Sequence, residues 1–536
     1  MTRLRRAIET LGPTLRSAAH LRPTQLLAFV RQRSRGPARS PTQSRAPGCD
    51  ALQLPEGFVG PSPEGHIEPD GGVVLLGQPA HDPVRFGWTG DGDPLWVYTL
   101  HYHGWLADPA CTRAQARATV LDWIEEHREG VGWEPYPCSQ RLLHWLGWLA
   151  RDGAHLHAGE LELVLASVSA QLQHLASHVE LHLDGNHLWT NLVALVAGGL
   201  ALRGHVPAAM LERFATPLLH CVQAQLGDDG VHAERTPSYH CLLAEQLSLV
   251  IALAEPRLPG VADPLRVALE HMLAVLPAFT HPDGDVALWG DSQLQAPVTP
   301  MRLAHRCAVA LAEGDADASD SGFARRAWGP FTLLWNQGGV GLPQQTGHIH
   351  GDCLSIELSY GRTRVLVDAG VGTYVEGDDR RYARSTAAHN TVTVGDRDQH
   401  ELWKSHRIGG RALPHQLEAS ARRLLAEVRG YKGAATHRRR VIFDGDRIQI
   451  TDELAPPVVA GVVRYFVPES LRVRTTDNGA LVFLPRGETV ELALDRGAFA
   501  LSQAPGWRAM GKAAPRWCLA ADVGLRPTVV TIRALG

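Results

Sequence analysis

His348-Ile-His-Gly-Asp-Cys-Leu-Ser-Ile-Glu-Leu-Ser359 is followed, after Tyr360-Gly361-Arg362, by Thr363-Arg-Val-Leu-Val-Asp368. Apolar and polar residues alternate over 353–359, and 363–368 is rich in β-branched residues, so the pair reads as a hairpin turning at 360–362. Thr391-Val-Thr-Val394, Val441-Ile-Phe443 and Arg447-Ile-Gln-Ile-Thr451 repeat the pattern between Gly, Asp and Asn turns. Everything beyond about 330 therefore reads as an antiparallel β-sandwich.

Upstream the period changes. Apolar residues recur at three- and four-residue spacing in 113–128, 139–151, 158–178, 186–203, 207–226, 236–255, 262–277 and 300–313. Short Gly/Pro/Asp breaks separate these segments, which implies antiparallel helix pairs packed as a bundle or an α/α toroid. The fold class is α+β multidomain, divided into an N-terminal region and linker (1–50), a helical domain (51–325) and a sandwich (326–536). Within the first of these, 36–50 is Pro/Gly/Ser-rich and reads as a linker. Short strand-like pieces such as Gly72-Val-Val-Leu-Leu76 lie between 55 and 105.

The 536 residues exceed one ordinary core. A hydrophobic fraction of 44 %, with no continuous apolar run long enough for a membrane span, fits a soluble chain. A net charge of -4 and a pI near 6.7 speak against nucleic-acid binding over the whole surface, so an anionic ligand needs a local patch. The run from Lys404 to Arg440 is the candidate patch, its alternative being a solvated strand face. The eight cysteines show neither zinc-ribbon nor disulfide-framework spacing. The Arg-rich N-terminus is broken by Pro13 and Pro23 and does not read as a secretion signal, which leans cytoplasmic.

The densest chemical signal is His348, His350 and Asp352, followed by Asp368 and Ala388-His389-Asn390. Residues two apart in extended backbone face one side, so His348 and His350 can serve one site. Two imidazoles and a carboxylate are a familiar zinc set. Asp184-Gly-Asn-His-Leu188 and Ala233-Glu-Arg-Thr-Pro-Ser-Tyr-His240 both stand at predicted helix starts, where active sites are commonly mounted. The alternative readings are Asn186 as an ordinary N-cap and Tyr239 with His240 as packing residues.

These residues resemble the heparinase II/III-like polysaccharide lyases and the related alginate lyases over about 100 to 460. The resemblance rests on Trp133-Glu-Pro-Tyr-Pro137 with Gln140-Arg141, Gly185-Asn-His187 and Glu234-Arg-Thr-Pro-Ser-Tyr-His240. It continues through His281-Pro-Asp-Gly284 with Asp291-Ser292, and His348-Ile-His350 through Tyr374, Tyr382 and Ala388-His-Asn390. It implies an incomplete α/α toroid followed by an antiparallel β-sandwich, with an acidic polysaccharide in the cleft between them and a Zn2+ ion on His350, Asp368 and His389. It further implies Asn186, His187, Tyr239 and His348 as catalytic residues, and Gln140, Arg141, Glu234, Arg235, His240 and Tyr382 as substrate-binding residues. A cell-envelope or periplasmic place is also implied, against the cytoplasmic lean above.

The expected function is β-elimination in a 4-linked, uronic-acid-containing anionic polysaccharide of glycosaminoglycan, alginate or bacterial exopolysaccharide type. Elimination needs neutralisation of the uronate carboxylate, a base for the C5 proton and an acid for the departing O4. Asn186 and His187 suit the first task, Tyr239 and His348 the other two, in either order. Rival readings are a uronate C5-epimerase, a non-catalytic glycan-binding protein, and a metallo-β-lactamase-like zinc hydrolase suggested by His348-x-His350-x-Asp352. The sequence carries no signal of oligomeric state.

Overall fold

The computed structural model describes residues 11–33, 48–90, 93–255, 257–395, 397–430, 436–455 and 460–535. The helical periodicity emerges as Arg113–Glu126, Pro135–Asp152, Ala158–His178, Gly185–Ala201, His205–Gln225, Pro237–Ala254, Pro259–Ala274 and Pro300–Arg306. Several helices start with proline, whose fixed φ suits the first turn and whose missing N–H would be unpaired there anyway. Pro135–Asp152, Gly185–Ala201 and Pro237–Ala254 are buried on almost every side and touch one another in a row. Ala158–His178, His205–Gln225 and Pro259–Ala274 flank that row; the last two bury a single stripe each, while the first is buried on every side from Val164 to Leu172. Two concentric layers joined by short antiparallel connections make the incomplete α/α toroid. Among the described residues, no helix is long and apolar enough to cross a membrane.

The strands form three main antiparallel sheets. The first joins Ala316–Ala318, Phe323–Trp328, Phe331–Asn336, Ser355–Tyr360 and Thr363–Leu366 in sequence order. An eight-stranded sheet runs from Leu413–Ser420 through Arg447–Leu454 and Thr528–Leu535 to Arg472–Thr476. A four-stranded sheet holds Val392–Thr393, Gly461–Pro468, Arg516–Val523 and Ala500–Ala504. Their apolar faces share one core that includes Leu358, Val441, Ile450 and Tyr465. The expected hairpin is present, with Leu358 opposite Leu366 and a bulge before Ser359–Arg364.

Two boundaries move. The first of the main sheets begins at Ala316, and residue 325 lies inside the strand Phe323–Trp328, so the helical unit ends earlier than expected. The N-terminal region is more than a leader. Residues 11–18 are helical, Pro23–Arg33 forms a second helix, and the segment touches both halves. Arg16 binds Glu401 of the sandwich at 2.7 Å, and Arg22 lies 3.9 Å from Asp184 of the toroid. Most of the expected linker, residues 36–47, lies outside the described residues.

Candidate active site

The site forms where the first turns of two inner helices face the loop before Ser355–Tyr360. Helix Gly185–Ala201 is entered through two left-handed residues, Asp184 (φ 59°) and Gly185 (φ 55°). A Cβ on Gly185 would lie 2.1 Å from a Glu234 carboxylate oxygen, so glycine is required there on two counts. Asn186 is thus inside the helix, with Asp184 at the N-cap position, and its side chain does no capping. Its amide donates to both Glu234 oxygens at 3.0 Å and reaches His348 Nε2 at 3.2 Å. Burial opposes the charge on Glu234, but His348 and the Asn186 donors outweigh it and hold this carboxyl below its ordinary range.

His348 is fixed from its other nitrogen. Nδ1 lies 2.7 Å from Asp291, while Asn186 offers its amide to Nε2, so the consistent tautomer carries its proton on Nδ1 and a lone pair on Nε2. The ring stacks on Tyr239 with centroids 4.2 Å apart, and the Tyr239 hydroxyl is 3.0 Å from that of Tyr374. Burial first, then Tyr374, pushes the Tyr239 phenol well above its usual pKa. His187 sits on Tyr136, its Nδ1 3.1 Å from Glu180. Burial works against its charge, yet Glu180 prevails and raises its pKa.

Asp291 is the hub. Its carboxylate meets His348, His350 at 2.8 Å and the guanidinium of Arg380. Burial would raise its pKa, but Arg380 and the two imidazoles hold it well below the carboxylate range. Arg380 and His406, which lies 5.1 Å from the Tyr374 ring, are absent from the residues expected from sequence. Only Asp291 and Tyr374 of this second set lie within the quoted motifs.

The structure thus brings Asn186, His187, Glu234, Tyr239 and His348 together. Gln140 lies on the same cleft wall and donates to Tyr136 at 3.0 Å. Arg141 and His240 are corrected from substrate contacts to anchors of the helical core. Arg141 is fully buried, stacked over Trp123 at 3.8 Å and bonded to Gln171 and the His101 carbonyl. His240 spends both ring nitrogens on backbone, at Met272 and His232, and burial lowers its pKa to about 4. Arg235 packs over Phe323, and Tyr382 meets Arg516 inside the sandwich, so neither touches Tyr239 or His348.

Two groups could hold a cation. Among the described residues, one trio, Asp291, His348 and His406, places ligand atoms all within 4.8 Å of one another. Arg380 already supplies a positive charge to that carboxylate. Behind it lie His350 and His389, fully buried with rings 5.5 Å apart. His389 Nδ1 is 2.8 Å from Asp368, and both His350 Nδ1 and His389 Nε2 lack a partner. Asp352, pushed up to about 6 by burial, accepts from the Gly290 amide next to them.

Three arginines of the basic run are paired with acids on the eight-stranded sheet. Arg423 pairs with Glu418 at 3.2 Å and Arg438 with Glu427 at 2.8 Å on the eight-stranded sheet, and Arg439 is buried against Asp452. Lys432 lies outside the described residues.

Two family models match the chain: heparinase II/III N-terminus over residues 89–308 and heparinase II/III-like, C-terminal over 311–532. No curated protein matches it. Among solved structures, a crystal structure of heparinase III is similar with a TM-score of 0.67 at 16% identity, covering 95% of this chain and 89% of that one. A heparinase III gene product gives 0.61 at 16% identity over 95% and 88% of the two chains. A mutant heparan sulfate lyase from Pedobacter heparinus gives 0.58 at 15% identity over 99% and 90%. Likeness at such identities speaks for the fold.

Proposed function

The chain belongs to the heparinase II/III family, and we propose that it is a carbon–oxygen lyase that cleaves a 4-linked, uronic-acid-containing polysaccharide by β-elimination. The observation that carries this reading is the convergence of Asn186, Tyr239 and His348, from three separate segments, on one cleft wall. Asn186 and His187 are donors for the uronate carboxylate, and drawing off its charge acidifies the C5 proton. His348, its Nδ1 held by Asp291, has a lone pair on Nε2 and serves as base.

Tyr239 serves as acid to O4. Its raised pKa supports this order, because a phenol that keeps its proton is ready to donate it and ill suited to act as base. Arg380, 5.0 Å over the Tyr374 ring, does not reverse the shift; the Tyr239 hydroxyl itself meets that of Tyr374. The C5–H bond breaks toward His348, the C4–O4 bond breaks with O4 taking the Tyr239 proton, and a C4–C5 double bond remains.

Zn2+ fits the sealed group better than the trio, since its two buried imidazoles each keep a ring nitrogen without a partner beside Asp368 and Asp352, whereas Arg380 already meets the carboxylate of the trio. His350, Asp368 and His389 would hold it, and its contribution would be to tie down the loop that carries His348. A screen of uronate polysaccharides for ultraviolet absorbance of the unsaturated product tests the lyase reading. Isotope exchange at C5 without that absorbance would turn the same residues into a C5-epimerase.

A further inference from the structure

Glu64 lines the same hollow as the proposed acid. The hollow, of roughly 100 Å³, is shared with Tyr102, Tyr136, Gln140, Tyr239 and Tyr374. The segment bearing it is pinned at both ends: Ser62 binds Glu245 through its amide and hydroxyl, and the Ile67 amide binds Asp108 at 3.1 Å. Between these, the Glu64 amide donates to the Gly104 carbonyl, and a Cβ on Gly104 would lie 2.6 Å from that of Glu64. The backbone that presents Glu64 is therefore held in place.

Every other acid around the cleft is engaged. Glu134 takes the Tyr98 hydroxyl, Glu180 holds His187 and Asn191, Glu234 holds Asn186, and Asp291 is the hub described above. The Glu64 carboxyl receives no hydrogen bond and no cation from any described residue. Its charge is near enough to raise the phenol pKa of both Tyr102 and Tyr136, and burial pushes its own pKa up to about 7. The residues lining this hollow include no lysine or arginine. A sulfate brought here would meet acids and phenols without a compensating charge, a costly desolvation.

We propose that Glu64 is a specificity residue, accepting hydrogen bonds from hydroxyl or amino groups of an unsulfated sugar next to the reacting uronate and rejecting sulfated chains. The inference rests on the lyase reading for which sugar lies beside it, but its test does not need turnover. Binding is measured by calorimetry on full-length Tyr239→Phe protein, with heparin and chemically desulfated heparin of matched length as probes. The desulfated chain is expected to bind at least about 10-fold tighter. Glu64→Ala loses about 10-fold on that chain, and Glu64→Lys erases or inverts the preference, with melting curves confirming that both variants fold.

Tighter binding of heparin, failure to bind the desulfated chain, or a preference that ignores residue 64 overturns the proposal. Glu64→Gln serves as the conservative check, since it keeps an acceptor and is expected to retain most of the affinity. A protein that shows the preference but yields no unsaturated product from any uronate polysaccharide keeps this inference and loses the lyase reading. A protein that cleaves both probes equally, whatever stands at 64, does the reverse.

Discussion

Asp291 and Asp368 each hold a histidine at hydrogen-bond distance, 2.7 Å to His348 and 2.8 Å to His389, yet the two pairs face different worlds. The His348 side chain is 12% exposed and looks into the cleft, with Asn186 at its second nitrogen and Tyr239 on its face. The His389 side chain has no exposure, and its second nitrogen has no partner. The same two functional groups can be a proton carrier or an anchor. Access to a ligand and the identity of the third partner decide which.

The largest effect is expected from breaking the sealed pair. Burial opposes charge on both groups, yet in the metal-free pair each holds the other charged, Asp368 below and His389 above its ordinary pKa. His389→Ala strands a buried carboxylate and should cost about 3–5 kcal/mol in denaturant unfolding. Elemental analysis should show metal lost with it. A variant that unfolds within about 1 kcal/mol of wild type and keeps its metal would erase the contrast between the pairs.

Next in size is the open pair and its stacked phenol. Tyr239→Phe keeps the ring on His348, removes one oxygen, and should slow single-turnover elimination by about 100-fold or more. Thermal stability should hardly change, because only one hydrogen bond, worth about 1 kcal/mol, goes with it. Near-normal elimination by this variant would leave His348 as the sole proton carrier.

A third pair supplies a control. His437 and Asp452 are buried 2.7 Å apart with Arg439, which also donates to the Leu354 and Asn390 carbonyls. Burial would raise the Asp452 pKa, but Arg439 and His437 bring it down to about 2. A depressed carboxylate pKa adds stability above its unfolded value near 4, and that stability drains away as pH falls from about 4 through about 2. The loss should be about 2 kcal/mol, and Asp452→Asn should flatten that part of the acid unfolding curve without touching kcat at neutral pH. A fall in kcat would mean that this sealed pair is coupled to the cleft after all.

The helical half was legible because burial imposes a 3.6-residue period. The stretch 158–178 appears with both its ends, and 186–203 is displaced by one or two residues. Phe323-Ala-Arg-Arg-Ala-Trp328 was not legible as a strand. Arg325 and Arg326 are buried there on carbonyls and Asp317, so alternation is absent. In the site, Asn186, Tyr239 and His348 stood out through local motifs. Arg380 did not, since its partner Asp291 is 89 residues away and no spacing rule joins them. Arg141 and His240 sat in the right motifs, but a motif does not tell which face of a helix a side chain leaves from.

The smallest effect is expected from the run at 404–440, where sequence suggested a polysaccharide-binding patch. Arg423, Arg438 and Arg439 meet acids on neighbouring strands, a pairing that only the register reveals: Arg438 lies opposite Glu427, and Arg423 crosses the turn to Glu418. Both pairs are largely exposed, so each is worth about 0.5 kcal/mol and is screened within about 8 Å at physiological salt. Arg423→Ala with Arg438→Ala should therefore shift unfolding by about 1 kcal/mol or less and change KM less than twofold at any ionic strength. If KM instead rises several-fold and the rise disappears in high salt, the outer sheet binds substrate, and recognition of the anionic chain extends well beyond the cleft where the His348–Asp291 pair lies.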